Sequence, residues 1–163
     1  MPLRSPFGSS RGAARAAGQL PLPQFSTAEW EQLVQLPARV IAAAASLHAP
    51  TDEDRLATLA ALAAGRIHDS ELLRAIVARI YRATEEDAAV VSSEATQSSV
   101  LAACRQASRL LALRADPADA AAYRQWLQSL VARCFGLTRG TSRALTPGQR
   151  DFLDQLAAAL AAR

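Results

Sequence analysis

The fold is decided by the stretch DPADAAAYRQWLQSLVARCFG, residues 116–136. It opens with aspartate and proline, a pair that favours a helix start because Asp caps free backbone amides and Pro suits the first turn. Large apolar side chains then recur at intervals of three and four residues, namely Tyr123, Trp126, Leu127, Leu130, Val131 and Cys134. Gly136 follows them, as glycine often follows a helix end. The stretch therefore predicts a helix with one buried face.

The segments on either side of this stretch carry the same kind of pattern. On the C-terminal side, Thr146 and Pro147 repeat the cap-and-proline start. The helix predicted after them reaches the C-terminus and has the apolar series Phe152, Leu153, Leu156 and Leu160. On the N-terminal side, a helix that ends near Arg114 is predicted by the series Leu101, Cys104, Ala107, Leu110 and Leu111.

The first helix of the chain is predicted to begin at the capping box formed by Ser26 and Glu29. Phe25, just before it, is placed to pack on Trp30. The apolar stripe of this helix is Trp30, Leu33, Val34, Pro37, Ile41, Ala44 and His48. Because proline lacks an amide proton and clashes with the preceding turn, we expect Pro37 to bend the helix rather than split it.

Two further helices are predicted before residue 84. The second begins at Thr51, whose following acids suit the first turn of a helix, and it ends at Gly65. Its apolar face is narrow and consists of Leu56, Leu59, Ala60 and Ala63. The third begins near Asp69 or Ser70 and carries the widest aliphatic face of the chain, namely Leu72, Leu73, Ile76, Val77 and Ile80. We therefore expect the third helix at the centre of the core.

The region after the third helix is expected to be interrupted. Thr84 is followed by Glu85, Glu86 and Asp87, which has the form of another acidic helix start. The polar run at residues 92–99 then predicts a break or an exposed turn before the next helix.

These patterns predict an all-α protein, a single bundle of five to seven helices over residues 25–163 behind a disordered arm at residues 1–24. The arm is rich in Pro, Gly and Ser and has too few large apolar groups to offset its ordering entropy. The chain has 163 residues, two cysteines, no apolar run long enough for a membrane span and no signal-like N-terminus. We therefore expect a cytoplasmic protein in a reducing compartment.

The net charge of +3 comes from the arm. Residues 26–163 balance fifteen arginines with fifteen acids, whereas the arm contains no acid and three arginines, Arg4, Arg11 and Arg15. Lysine is absent and alanine abundant, which is typical of high-GC codon usage. Three arginines would give weak, non-specific contact with nucleic acid.

A second basic region lies between Asp119 and Asp151, where five arginines occur without an acid. Arg139 and Arg143 share a loop containing Gly and Thr, and Arg150 follows it. Guanidinium groups and loop amides are suited to hold a phosphate, a carboxylate or an acidic partner. The alternative is that these arginines pair with acids of other helices. The loop does not fit the nucleotide P-loop pattern.

The residues with catalytic or metal-binding chemistry are scattered. His48 and His68 have no ligand-spaced partner, and Cys104 and Cys134 fall on apolar stripes, where cysteine packs as a small hydrophobe. The acidic groups at residues 52–54 and 85–87 stand in predicted first turns, where the helix dipole explains them without an ion. We therefore predict no enzyme activity, no cofactor and no metal site.

The sequence resembles two known groups of helical proteins. The first resemblance is to small uncharacterised all-α proteins of high-GC bacteria. It lies in the segment FSTAEW at residues 25–30 with Leu33, Pro37 and Val40, and in Asp116-Pro117, which leads to Tyr123 and Trp126. That resemblance covers residues 25–163 and implies a helical fold in a bacterial protein, without an activity.

The second resemblance is to the TerB-like helical domains of tellurite-resistance systems. It lies in the alanine-rich residues 42–45, which lead to the acids at residues 52–54. It implies an ion-binding stress protein. The chain departs from that family at residues 47–50, LHAP, where TerB-like domains have an Ala-Asp-Gly type turn with paired acids.

The function predicted from these features is non-catalytic: an adaptor or scaffold that binds another protein or itself. An adaptor requires a helix face that stays apolar after the bundle assembles. The alternatives are the TerB-like ion-binding protein, for which a divalent cation should raise the melting temperature, and a nucleic-acid-associated protein, for which retention on DNA should fall with salt.

Overall fold

The predicted all-α bundle is confirmed by a computed structural model, which describes residues 25–86, 96–137 and 144–162. Within these residues there are six α-helices and no strand. The helices are α1 (Thr27–Leu47), α2 (Asp52–Ala64), α3 (Glu71–Glu86), α4 (Gln97–Arg114), α5 (Pro117–Cys134) and α6 (Pro147–Ala161), with a 3-10 turn at Gly65–Ile67 after α2. The predicted arm, residues 1–24, lies outside the described residues.

Most helix starts are those that the capping residues predict. The side chains of Ser26, Thr51 and Thr146 each accept a hydrogen bond from the backbone amide three residues ahead. The side chain at that later position in turn accepts from the backbone amide of the capping residue. Asp116 accepts from the amide of Ala118 at 2.8 Å. At the end of α5, Gly136 has φ 72°, a left-handed conformation that glycine adopts without strain.

Two boundaries differ from the sequence prediction. Thr84 does not start a helix: it lies inside α3, which continues to Glu86, and its hydroxyl donates to the carbonyl of Ile80 at 2.9 Å. A threonine that bonds back to the preceding turn is compatible with a helix interior. Within the polar run, Thr96 caps α4 by accepting from the amide of Ser99, so the helix begins four residues before Leu101.

The centre of the bundle is α5 rather than α3, which corrects the prediction from aliphatic content. Helix α5 packs against all five other α-helices, whereas the principal contacts of α3 are with the 3-10 turn, α1 and α5. The aliphatic face of α3 is nevertheless buried, since Leu72, Leu73, Ile76 and Val77 have no exposed surface. The Tyr and Trp of α5 explain its position, because they are large enough to reach several neighbours.

Helix α1 runs unbroken through Pro37, so the proline does not split it. Since proline has no amide proton, the carbonyl of Leu33 loses its helical donor. The hydroxyl of Tyr123 replaces it, donating to the Leu33 oxygen at 2.7 Å. Both residues are fully buried, and the contact joins α1 to α5. A proline in one helix is thus accommodated by a tyrosine in another.

Candidate protein-binding surface

Helix α2 faces the opposite way from the sequence prediction. Leu56 and Leu59, expected on the buried side, are 68% and 59% exposed. The buried side of α2 instead contains Asp54 and Thr58. The apolar face predicted for α2 is therefore a surface feature rather than part of the core.

Asp54 and Thr58 tolerate burial because their polar atoms have local partners. The carboxylate of Asp54 accepts from both the amide and the hydroxyl of Thr51, at 2.9 and 2.8 Å. The hydroxyl of Thr58 donates to the carbonyl of Asp54 at 2.7 Å. Burying a polar group costs little when it is hydrogen-bonded, so no large penalty opposes this orientation of α2.

The orientation of α2 is determined by close contact with Trp126 of α5. The indole Nε1 donates to the carbonyl of Ala61 at 3.0 Å. One turn further along, Gly65 is buried so closely that an added Cβ would lie 2.6 Å from Cγ2 of Val77 and 3.3 Å from the indole nitrogen. A side chain at this position would therefore require Val77 to shift. Leu56 and Leu59 are directed to solvent, whereas Leu62 is half-buried and packs against the core.

The outward side of α2 and the 3-10 turn forms what we call the α2 face: Leu56, Leu59, Ala60, Ala63 and Ile67. Ile67 is 86% exposed, Ala60 is exposed and Ala63 is half-buried. Among the described residues, four large hydrophobic side chains are exposed, and three of them lie on this face. Apolar exposure that is concentrated on one helix side, rather than scattered, is typical of a binding surface.

Opposite charges mark the two ends of the α2 face. Asp52, at the start of α2, is exposed and accepts from Arg55 at 3.2 Å. At the other end Arg66 is exposed, and its guanidinium lies 4.9 Å from the ring centroid of Tyr81, a cation–π contact. Asp52, Leu59 and Arg66 follow one another at intervals of seven residues. This spacing is close to two helical turns and places the three residues along one edge of the face.

The arginine site predicted from sequence is only partly within the described residues. Arg139 and Arg143 lie outside them. Arg150 is exposed in the first turn of α6, and Arg124 and Arg133 are half-buried on α5. None of these last three forms an ion pair with a described residue, so the expected pairing with acids of other helices is not found there. The anion site at Arg139, Arg143 and Arg150 stays a prediction.

The possible metal ligands have other roles where they are described. Asp54 belongs to the cap of α2 and Asp52 pairs with Arg55. His48 is the C-terminal cap residue that follows α1, and Nδ1 of His68 accepts from the amide of Ser70 at 3.0 Å. Over the described ranges, no three His, Cys, Asp or Glu residues lie close enough to share an ion.

Both cysteines are in the core, which confirms their predicted packing role. Cys104 and Cys134 are free thiols, with at most 1% of their surface exposed. Burial raises the pKa of the Cys104 thiol to about 11 and also raises the pKa of Cys134. Near neutral pH both are therefore thiols rather than the nucleophilic thiolate.

A separate depression of about 560 Å³ opens between α4 and α6. Its lining residues are Gln97, Ser98, Leu101, Arg105 and Gln155. Among these five residues Arg105 is the one charged group, and none is a carboxylate, a histidine or a cysteine.

Comparison of the chain with protein families, curated proteins and solved structures gave no match. The two resemblances drawn from sequence therefore stay predictions. Among the helices in the described part of the chain, none combines the length and hydrophobicity needed to cross a membrane.

Proposed function

We propose that this protein is a non-catalytic adaptor or scaffold and that it binds a protein partner through the α2 face. One observation carries the proposal: three of the four exposed large hydrophobic side chains of the described residues share that face. Covering them would remove apolar surface from water, the main favourable term in protein association.

The way in which α2 packs supports this assignment. Its inner side packs on the bundle through Ala61, Leu62 and Gly65 and through locally satisfied polar groups, so the exposed Leu56 and Leu59 are not needed to hold α2 in place. A surface helix with a polar outer side would pack equally well and would be more soluble. Leu56, Leu59 and Ile67 therefore point to a role other than folding.

A cytoplasmic, bacterial setting is part of the proposal. It rests on the two free, buried cysteines and on the resemblance to small proteins of high-GC bacteria. The ion-binding and nucleic-acid alternatives stay predictions with the tests given above.

Site-specific photo-crosslinking in the native cells tests the proposal. A photoreactive phenylalanine replaces Leu59 in one variant and Leu113 in the other, since Leu113 is 84% exposed but lies on α4. We expect a discrete protein adduct at position 59, identified by mass spectrometry, and at least about a tenfold weaker one at position 113, because contacts concentrate where apolar surface is clustered. Adding Leu56→Glu to the position-59 variant should remove the adduct.

Equal labelling at the two positions would contradict the proposal. So would an adduct at position 59 that persists undiminished with Leu56→Glu, because the face would then not be the binding determinant.

A further inference from the structure

The α2 face has the features of a surface that matches itself. A contact between two copies about a twofold axis requires one patch to be complementary to its own rotated image. For a single helix, this means that opposite ends must attract each other and that large side chains must meet small ones. Both conditions hold for α2.

The charges satisfy the first condition. Leu59 lies midway between Asp52 and Arg66, each seven residues away along one edge of the face. If two α2 helices lie antiparallel and cross at Leu59, Asp52 of each copy comes level with Arg66 of the other. Both residues are exposed, so Asp52 can exchange its surface contact with Arg55, and Arg66 its contact with the Tyr81 ring, at little cost. A parallel arrangement would instead bring the two acidic ends together and the two Arg66 ends together, against the helix dipoles as well.

The side-chain sizes satisfy the second condition. The same arrangement brings the two Leu59 side chains together near the axis and places Leu56 of each copy against the turn that contains Ala63 of the other. Leucine packs into the space above an alanine, so the helices can approach closely. Ile67 of each copy then covers the first turn of the opposite helix.

We propose that the partner of the α2 face is a second copy of this chain, with the two α2 helices antiparallel about a twofold axis. This inference rests on the proposed function and specifies its partner. The face spans a helix of 13 residues, about 20 Å long. It buries on the order of a few hundred Å² per copy, below the roughly 800 Å² per partner of a standard interface. An interface of this size is typical of a weak, transient association.

Sedimentation equilibrium of the purified chain over a wide concentration range tests this arrangement. For the wild type, the average mass should rise with concentration from that of the 17.3 kDa monomer towards twice that value. Leu59→Glu, which places two carboxylates at the axis, should hold the protein monomeric. Leu113→Glu, an equally polar change at an exposed leucine off the face, should dimerise as the wild type does.

A charge exchange tests the antiparallel direction. Asp52→Arg and Arg66→Asp should each weaken the dimer by about fivefold, because each change turns two symmetric attractions into repulsions. The double variant Asp52→Arg/Arg66→Asp should recover most of the lost affinity. Thermal melts of all variants check that each is folded.

A wild type that stays monomeric at every concentration would overturn the inference, as would a dimer insensitive to Leu59→Glu. A double variant no tighter than the single ones would overturn the antiparallel arrangement. If a different protein is crosslinked at position 59 while the purified chain stays monomeric, the self-association is wrong and the proposed function stands. If no protein is crosslinked there, the proposed function itself fails.

Discussion

Tyr123→Phe is expected to lower the free energy of unfolding by about 1–3 kcal/mol, the usual cost of leaving a buried polar group without its partner. The substitution keeps the ring and removes only the hydroxyl, which is the donor that the structure provides for the Leu33 carbonyl. Urea unfolding monitored by circular dichroism measures the effect. Tyr81→Phe is the matched control, since the Tyr81 ring is half-buried and contacts Arg66 through its face.

The cause of this effect is tested by combining Tyr123→Phe with Pro37→Ala. Alanine at position 37 has an amide proton that can reach the Leu33 carbonyl, so the tyrosine hydroxyl is no longer its necessary donor. The cost of Tyr123→Phe should then fall by about 1 kcal/mol or more, a coupling that a double-mutant cycle resolves. An equal cost in both backgrounds would show that the hydroxyl does not compensate for the proline.

Gly65→Ala is expected to destabilise the protein by about 1–2 kcal/mol, although alanine is the better helix former. The backbone at Gly65 is right-handed helical, so a side chain is not strained by φ and the helix propensity alone would favour alanine by up to about 1 kcal/mol. The added Cβ would however lie 2.6 Å from Cγ2 of Val77. Valine in a helix has little freedom to rotate away, and forced overpacking of this kind costs about 1–3 kcal/mol.

Gly148→Ala provides the matched control for Gly65→Ala. Gly148 is also in a helix, but a Cβ there would meet only Leu47 Cδ2 at 3.9 Å, an ordinary contact. That substitution should be neutral or stabilising by up to about 1 kcal/mol. Thermal melts of the two variants compare them directly. Similar melting temperatures for both would mean that α2 is not held close to Val77 and Trp126.

The helix starts were predictable from sequence because capping is local. Ser26, Thr51, Asp116 and Thr146 act through atoms within three residues, so the chain neighbours carry all the information. Thr84 has the same local form but its hydroxyl bonds to the preceding turn, and nothing nearby in sequence distinguishes the two outcomes.

The orientation of α2 was not predictable from its own periodicity. The spacing of apolar residues locates an apolar side of the helix, but it does not show whether the neighbouring helices leave space for those side chains in the core. The decision depends on Trp126, more than 60 residues away, which requires small residues opposite its ring. The signal that was missed is the series Thr58, Ala61 and Gly65, which lines the other side of α2 at helical spacing. The sequence prediction follows the larger side chains, Leu56 and Leu59, and therefore selects the opposite side of the helix.

Urea unfolding of Leu56→Gln/Leu59→Gln at low protein concentration shows whether the leucines of the α2 face serve binding and not folding. Glutamine preserves helix propensity, and Leu72→Ala serves as the reference for a buried leucine. We expect the double variant to unfold within about 0.5 kcal/mol of the wild type, as exposed substitutions usually do, while Leu72→Ala loses about 2–5 kcal/mol. A loss of several kcal/mol in the double variant would show that these leucines belong to the core and that the α2 face is not a binding surface.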